Sequence, residues 1–129
     1  GASKFVTVQV NGGADSDECL KVAYTIAESP LVKTALFASD PNWGRLLAAI
    51  GRAGVSDLDV DGVTVCIGDV LIAENGSRAS SYTEAAGQRV MNKEDITLAI
   101  DLGRGSNSET VWTSDLSYDY VKINAEYRS

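Results

Sequence analysis

Residues 39–54, SDPNWGRLLAAIGRAG, predict the helix around which the rest of the fold is arranged. Asp40 suits a helix N-cap, Pro41 suits the first helical position because an N–H is not needed there, and Gly54 suits a left-handed C-terminal cap. Four apolar residues recur at intervals of three and four, which places them on one face: Trp43, Leu46, Leu47 and Ile50. This face is wide enough to lie on a β-sheet.

A neighbouring face of the same helix carries only small residues, Gly44, Ala48 and Gly51. Their missing side chains would allow a second backbone to approach closely, which would offset the roughly 1 kcal/mol that an interior glycine costs relative to alanine. We therefore expect the helix to pack on two sides. The alternative is an ordinary core helix in which the glycines have no special role.

Composition narrows the classes of function. A chain of 129 residues and 13.6 kDa is one domain by length, and its net charge of −7 disfavours nucleic acid and anionic membranes as partners. The sequence has no apolar run long enough to span a bilayer and no signal-peptide pattern, so we expect a cytoplasmic protein. It contains no histidine, which excludes histidine-dependent catalytic triads and the common zinc sites.

The two cysteines and one acidic stretch resemble functional motifs, but their context does not support a reactive thiol or a metal site. Cys19 and Cys66 fall in apolar segments, where a free thiol behaves as a small hydrophobe. Residues 57–62, DLDVDG, imitate the start of an EF-hand loop, but Gly68 stands where a glutamate must close the calcium shell. We therefore predict inert thiols, a polar turn and no metal site.

Hydrophobic periodicity predicts the other elements. Alternation indicates strands over residues 4–10, 96–102 and 110–115, and a short apolar run indicates a buried strand over 33–37. Two further strands, 63–67 and 70–73, flank Gly68-Asp69, a pair suited to a tight hairpin turn. Helical spacing from Cys19 to Ala27, capped by Asp15 and Glu18, predicts a first helix, and Ser81 with Glu84 predicts a short one through Met91. Residues 74–81 are polar and predict a loop.

This mixture predicts an α+β, or mixed α/β, fold over residues 1–129. We expect a single domain that is a two-layer sandwich, a mixed sheet covered by about three helices on one face. The continuous apolar character of residues 63–73 suggests more burial than one layer of helices provides. A partner chain could cover the second face.

The last residues combine polar groups with aromatic anchors. A tail held by Tyr118, Tyr120 and Ile123 could present Asn124 and Ser129 to a small polar ligand. The alternative is that these terminal residues simply fray, as chain ends commonly do.

Three segments together resemble a known family: LVKTALFASDPNWGRLLAAIGRAG at 31–54, GDVLIAENG at 68–76, and VWTSDLSYDYVKINAEYRS at 111–129. They resemble the carboxy-terminal part of the β chain of ornithine acetyltransferase, the glutamate N-acetyltransferase of arginine biosynthesis. The resemblance extends over residues 1–129.

The resemblance implies an acyltransferase formed by self-cleavage of a precursor. The new N-terminal threonine of the family's β chain takes acetyl from N-acetylornithine and passes it to glutamate, and some members also use acetyl-CoA. That threonine belongs to the upstream part, so no catalytic residue is expected in this chain, and the chain alone should be inactive. The implied partners are the substrates N-acetylornithine and glutamate, the upstream α chain and the remainder of the β chain, in a hetero-oligomer without a cofactor.

Asn124 and Ser129 match the positions at which the family binds its amino-acid substrate. Relatives often end in threonine, so Ser129 departs from the pattern but keeps the hydroxyl. An acidic substrate-binding residue of the family would lie just before Gly1. The rival interpretation is a non-catalytic ligand-binding or protein-interaction domain of the same fold. A self-sufficient enzyme is a weaker third, because no nucleophile with an adjacent base can be identified.

Overall fold

A computed structural model describes residues 4–117 and confirms the α+β fold. The described residues form one mixed sheet of six strands and four α-helices, one helix more than expected. The strands are β1 (Phe5–Gly13), β2 (Thr64–Ile67), β3 (Val70–Glu74), β4 (Ser77–Arg78), β5 (Asp95–Asp101) and β6 (Asn107–Ser114). The helices are α1 (Ser16–Glu28), α2 (Pro30–Phe37), α3 (Trp43–Gly51) and α4 (Glu84–Met91), with a 3-10 turn at Val60–Gly62.

The sheet has the strand order β4-β3-β2-β5-β1-β6. The first strand lies beside β5 in parallel, with Val8 opposite Leu98, and beside β6 in the antiparallel sense, with Val8 opposite Val111. The remaining neighbours are antiparallel. Because β1 has partners on both sides, the strand nearest the start of the chain is an interior strand of the sheet.

The alternation in the sequence divides the sheet into an inner and an outer face. Inward residues of β1, β5 and β6 are buried against the helices: Val6, Val8, Val10, Ile96, Leu98, Ile100 and Val111. The helices contribute a matching set to this core, including Cys19, Val22, Ile26, Leu46 and Ile50. The predicted two-layer packing therefore holds for the described residues.

The apolar stripe of α3 packs as predicted, but the ends of the helix differ from expectation. Leu46, Leu47 and Ile50 are buried, and the helix contacts β3 and α1. The N-cap is Asn42, whose side-chain oxygen accepts from the N–H of Arg45 at 3.0 Å, whereas Asp40 accepts from the Asn42 amide. Both residue types cap helices, and only Asn42 is placed to reach the N–H three residues on.

The end of α3 also comes earlier than predicted. The helix stops at Gly51 with Arg52 as its C-cap, and Gly54 adopts its left-handed conformation, φ +82°, two residues later. The face formed by Gly44, Ala48 and Gly51 is exposed, and a Cβ at Gly51 would meet only a Val60 methyl at 3.9 Å. Within residues 4–117 no element packs closely there, so two-sided packing of this helix stays a prediction.

The strand predicted over residues 33–37 is wrong, because this segment belongs to α2. Ser29 accepts from the N–H of Val32 at 3.2 Å, and Pro30 occupies the first turn of the helix. Pro30 therefore starts a second helix as well as ending the first. Val32, Ala35 and Leu36 then fall on one buried face at helical spacing, a pattern that a five-residue window cannot separate from a strand.

Capping at the other helices follows the sequence in part. Asp15 accepts from the N–H of Glu18 at 2.8 Å, as predicted for α1. The N-cap of α4 is Thr83 and not Ser81, because the Thr83 hydroxyl accepts from the N–H of Ala86.

The hairpin of β2 and β3 is confirmed, and Gly68 has the positive φ that a type II′ turn needs at its first position. The predicted loop over 74–81 contains the short strand β4 after a turn at Asn75-Gly76, where both residues have positive φ. No helix within 4–117 is long and apolar enough to cross a membrane.

Gly87 in α4 provides a test of this packing. A Cβ at Gly87 would overlap the buried Tyr82 ring, so Gly87→Ala should lower the free energy of unfolding by about 1–3 kcal/mol despite the better helix propensity of alanine. Gly51→Ala is the matched control, since its new methyl meets only a Val60 methyl at the ordinary contact distance of 3.9 Å, and it should be neutral or stabilising by up to about 1 kcal/mol. Urea unfolding measures both changes, and equal effects would contradict the packing around Tyr82.

Candidate functional site

The two predicted substrate-binding residues, Asn124 and Ser129, lie outside the described residues 4–117. The structure does describe the place from which the tail departs. After β6 ends, Asp115 is buried and the N–H of Leu116 donates to the Lys33 carbonyl at 3.1 Å. The path of the chain toward Asn124 therefore begins beside α2.

This departure point adjoins the start of the described chain. The backbone N–H of Lys4 donates to Asp115 Oδ1 at 3.0 Å, and Phe5 lies opposite Ser114 in the sheet. The Lys4 ammonium donates to Ser39 Oγ at 2.6 Å and to the Met91 carbonyl at 2.5 Å. We call Lys4, Ser39, Met91 and Asp115 the terminal corner, because both ends of the described chain meet there.

Burial governs the electrostatics of the terminal corner. Lys4 is 9% exposed, and its burial lowers the pKa of the ammonium, while the Asp115 carboxylate opposes this shift. Ser39 has φ +54°, a left-handed conformation that is costly for a residue other than glycine. Its carbonyl accepts from Gln88 Nε2 at 2.8 Å and its hydroxyl accepts from Lys4, so tertiary contacts hold this loop in place.

The terminal corner has a signal in the sequence, which is the alternation of the two strands that lead to it. Lys4 directly precedes β1 and continues the inward alternation of Val6 and Val8, and Asp115 directly follows β6 and continues the inward positions of Val111 and Thr113. Both charges therefore fall on the buried face of their strands. A buried charge needs polar partners, and here the Lys4 ammonium donates to Ser39 and Met91 while the Asp115 carboxylate accepts from the Lys4 backbone N–H.

A second cluster joins α1 to the loop after β5. The guanidinium of Arg104 donates to Glu18 Oε2 at 2.8 Å and Oε1 at 3.2 Å, and to the Asp57 carbonyl at 2.9 Å. Glu18 also accepts from the N–H of Ala14 at 2.9 Å. The hydrogen bonds from Arg104 and Ala14 lower the pKa of Glu18, and Glu18 raises that of Arg104.

The structure shows the surroundings of the two cysteines and of the acidic turn at residues 57–62. Both cysteines are free, and burial raises the pKa of the Cys19 and Cys66 thiols, which favours their unreactive form. Asp59 caps the 3-10 turn through the N–H of Asp61, and residues 4–117 contain no acidic, cysteine or histidine cluster suited to a metal. The Ser16 hydroxyl donates to Glu109 Oε1 at 2.5 Å on the exposed surface.

Comparison with known proteins assigns this fold to a family. The model of the ArgJ family matches residues 1–129. The arginine biosynthesis bifunctional proteins ArgJ of Pseudomonas fluorescens, Pseudomonas syringae and Psychrobacter arcticus are 67%, 64% and 60% identical over 129 residues. The chain spans 32% of the length of each of these relatives.

A solved structure agrees with the sequence comparisons. The crystal structure of arginine biosynthesis bifunctional protein argJ from Bacillus halodurans matches with a TM-score of 0.86 and 33% identity. The match covers 98% of this chain and 59% of that one. The α+β domain described here is thus part of a biosynthetic enzyme family. The chain belongs to the ArgJ family.

The Glu18–Arg104 pair predicts a pH dependence of stability. Because the folded state lowers the pKa of Glu18, its contribution is complete above the usual glutamate pKa of about 4.3 and is lost as the pH falls through the lower folded value. Glu18→Gln should therefore lower the free energy of unfolding by about 1–3 kcal/mol at neutral pH. The deficit should shrink toward pH 3, as measured by urea unfolding.

The exposed pair of Arg89 and Asp69 supplies the control for Glu18. Both side chains are largely in water, so Asp69→Asn should leave the unfolding midpoint nearly unchanged at either pH. A deficit for Glu18→Gln that is the same at pH 7 and pH 3 would contradict an ionised Glu18 in the fold.

Proposed function

We propose that this chain is the carboxy-terminal domain of a glutamate N-acetyltransferase that transfers acetyl from N-acetylornithine to glutamate. The match of the whole chain to bifunctional arginine biosynthesis proteins is the observation that carries the proposal. In this proposal, the domain supplies substrate contacts and a surface for assembly, and the remainder of the longer protein supplies the reacting groups.

The proposed reaction has two acyl-transfer steps. The threonine hydroxyl oxygen, outside this chain, attacks the acetyl carbonyl carbon of N-acetylornithine, and ornithine leaves with its amine protonated. The amine of glutamate then attacks the acetyl ester, which restores the threonine hydroxyl. Acetyl-CoA is an alternative acetyl donor in the proposal, and no other cofactor is required.

The lengths of the related chains support the division of the protein into two chains. The curated relatives are about three times as long as this chain, whereas the solved chain from Bacillus halodurans is less than twice as long. A solved chain that is shorter than the full relatives agrees with self-cleavage of a precursor. The proposal therefore includes a hetero-oligomer of an α chain and a β chain, located in the cytoplasm.

The terminal corner supports a substrate-binding role for the tail. The resemblance implies an acidic substrate-binding residue just before Gly1. It also implies that Asn124 and Ser129, near the end of the chain, bind the substrate. The backbone N–H of Lys4 donates to Asp115, so the described domain ends at neighbouring points toward Gly1 and toward Asn124. A single small substrate could then contact both.

Acetyl transfer itself provides the first test. The complete protein should transfer acetyl from N-acetylornithine to glutamate, and residues 1–129 alone should not, because the proposed nucleophile is absent from them. Product formation is measured by mass spectrometry with isotopically labelled glutamate. Absence of transfer by the complete, cleaved protein would overturn the proposed function, and activity of residues 1–129 would overturn the proposed division of roles.

Substitutions in the tail test the proposed substrate contacts in the complete protein. Asn124→Ala should weaken substrate binding by about 1–3 kcal/mol, since a polar group of the substrate loses its partner, and KM should rise about 5- to 150-fold. Ser129→Ala should also raise KM, while Ser129→Thr, which keeps the hydroxyl, should not. Unchanged steady-state kinetics in Asn124→Ala would remove this residue from the site.

A further inference from the structure

The outer face of the sheet exposes two large aromatic side chains. Phe5 is 54% exposed and Trp112 is 62% exposed, although both lie in strands of the sheet. Trp112 stands opposite Thr7, which in turn stands opposite Thr97, so these residues form one continuous row across three strands. We define the outer face by Phe5, Thr7, Cys66, Thr97, Ala99 and Trp112.

No described element covers the outer face. The strand alternation directs Val6, Val8 and Leu98 toward the helices, and all the residues of the outer face remain partly or fully exposed in residues 4–117. Exposed tryptophan and phenylalanine side chains on one surface mark an interaction site more often than a solvated one.

The chemistry of the outer face is that of an interface. The outward positions of β1, β2, β5 and β6 carry no lysine, arginine or glutamate, and their charged residues are Asp95 and Asp101 at the two ends of β5. Interface cores are enriched in aromatic residues and depleted of lysine and glutamate in the same way. The threonine hydroxyls and Gln9 provide hydrogen-bonding groups around the aromatic pair.

We propose that the outer face is the docking surface for the upstream part of the longer protein, with Phe5 and Trp112 as its anchors. This step rests on the proposed position of the chain at the carboxy-terminal end of that protein. The chain spans 32% of its relatives, so about two thirds of a relative is available as a partner. The partner surface would be apolar, with recesses for two aromatic rings and polar groups for the threonine hydroxyls.

Covalent connection favours this occupant. With the chain at its proposed carboxy-terminal position, the upstream part joins it before β1, whose first residue is Phe5 on the outer face. A partner tethered so close to the outer face has a high effective concentration there, so modest contacts suffice for docking.

Charge disfavours a second copy of the chain as the occupant. Asp95 and Asp101 lie at the two ends of β5 and are exposed on the outward side of that strand. Two copies packed face to face would bring these carboxylates together, and each copy has a net charge of −7.

Photo-crosslinking in the complete protein tests the proposal directly. Trp112 is replaced by the aromatic photoreactive residue benzoylphenylalanine, and the crosslinked peptide is identified by mass spectrometry. The expected product joins position 112 to a peptide from the upstream part. Tyr24 on α1 is 50% exposed and is the matched control position, at which we expect no such product.

Each other outcome overturns the proposal in a defined way. A crosslinked dimer, in which position 112 of one copy is joined to residues 1–117 of another, identifies a second copy. A crosslink to residues 118–129 identifies the tail as the cover, and a crosslink confined to residues 1–117 of the same copy identifies a solvated face. The result does not depend on acetyl transfer, so an inactive protein with the expected crosslink would overturn the proposed function and leave the docking surface standing.

The accessibility of an introduced cysteine provides a second measurement, which does not depend on the yield of the crosslink. The variant Trp112→Cys is made in the complete protein, in a Cys66→Ser background. Its new thiol should react with a maleimide at least about tenfold more slowly in the native than in the denatured protein, because the docked surfaces must first separate. Tyr24→Cys in the same background should show little protection. Equal protection at the two positions would contradict docking at the outer face.

Discussion

The parallel pairing of β1 with β5 is the constraint on which the rest of the structure depends. Two parallel neighbours cannot be joined by a tight turn, so the chain between them must cross from one end of the sheet to the other. That crossing contains all four helices and the hairpin of β2 and β3. The valines of β1 thereby lie at the centre of the buried face, against α1 and between β5 and β6.

Two groups of hydrogen bonds connect neighbouring elements at the two ends of β1. The terminal corner joins the start of β1 to the end of β6, and Lys4 also reaches the α2–α3 loop and the end of α4. At the opposite end of β1, Glu18 and Arg104 join α1 to the loop after β5. These charges are buried or half-buried and hydrogen bonded, which makes the loss of one partner more costly than the loss of an exposed ion pair.

The terminal corner also bears on function. In the proposed enzyme, residues before Gly1 and residues near the end of the tail contact the same substrate. The hydrogen bond between Lys4 and Asp115 holds together, within the domain, the two points from which the chain leads to these residues. Meanwhile the outer face directs two aromatic side chains away from the core, where a second unit of the longer protein could dock. On the proposed function, the domain would hold the starts of the two substrate-binding segments close together and would offer a surface for docking.

Local patterns were enough to predict much of the secondary structure. The valine alternation of β1, the helical spacing of α1 and α3 and the glycine of the β2–β3 turn each act over a few residues. The errors occurred where two local interpretations competed. Pro30 predicts the end of one helix, but it also begins another. Asp40 and Ser81 suit a helix cap by residue type, whereas Asn42 and Thr83 have the geometry that caps α3 and α4.

The sequence by itself determined the α+β class, the family resemblance and the buried faces, because periodicity and side-chain chemistry are properties of neighbouring residues. Only the tertiary structure decided how strands distant in sequence pair, that Lys4 meets Asp115 across 111 residues, and that Phe5 and Trp112 share an uncovered surface in the described domain. Those contacts depend on the register of distant strands, and register is established when the whole core packs, since a shift of one residue would turn every buried side chain outward.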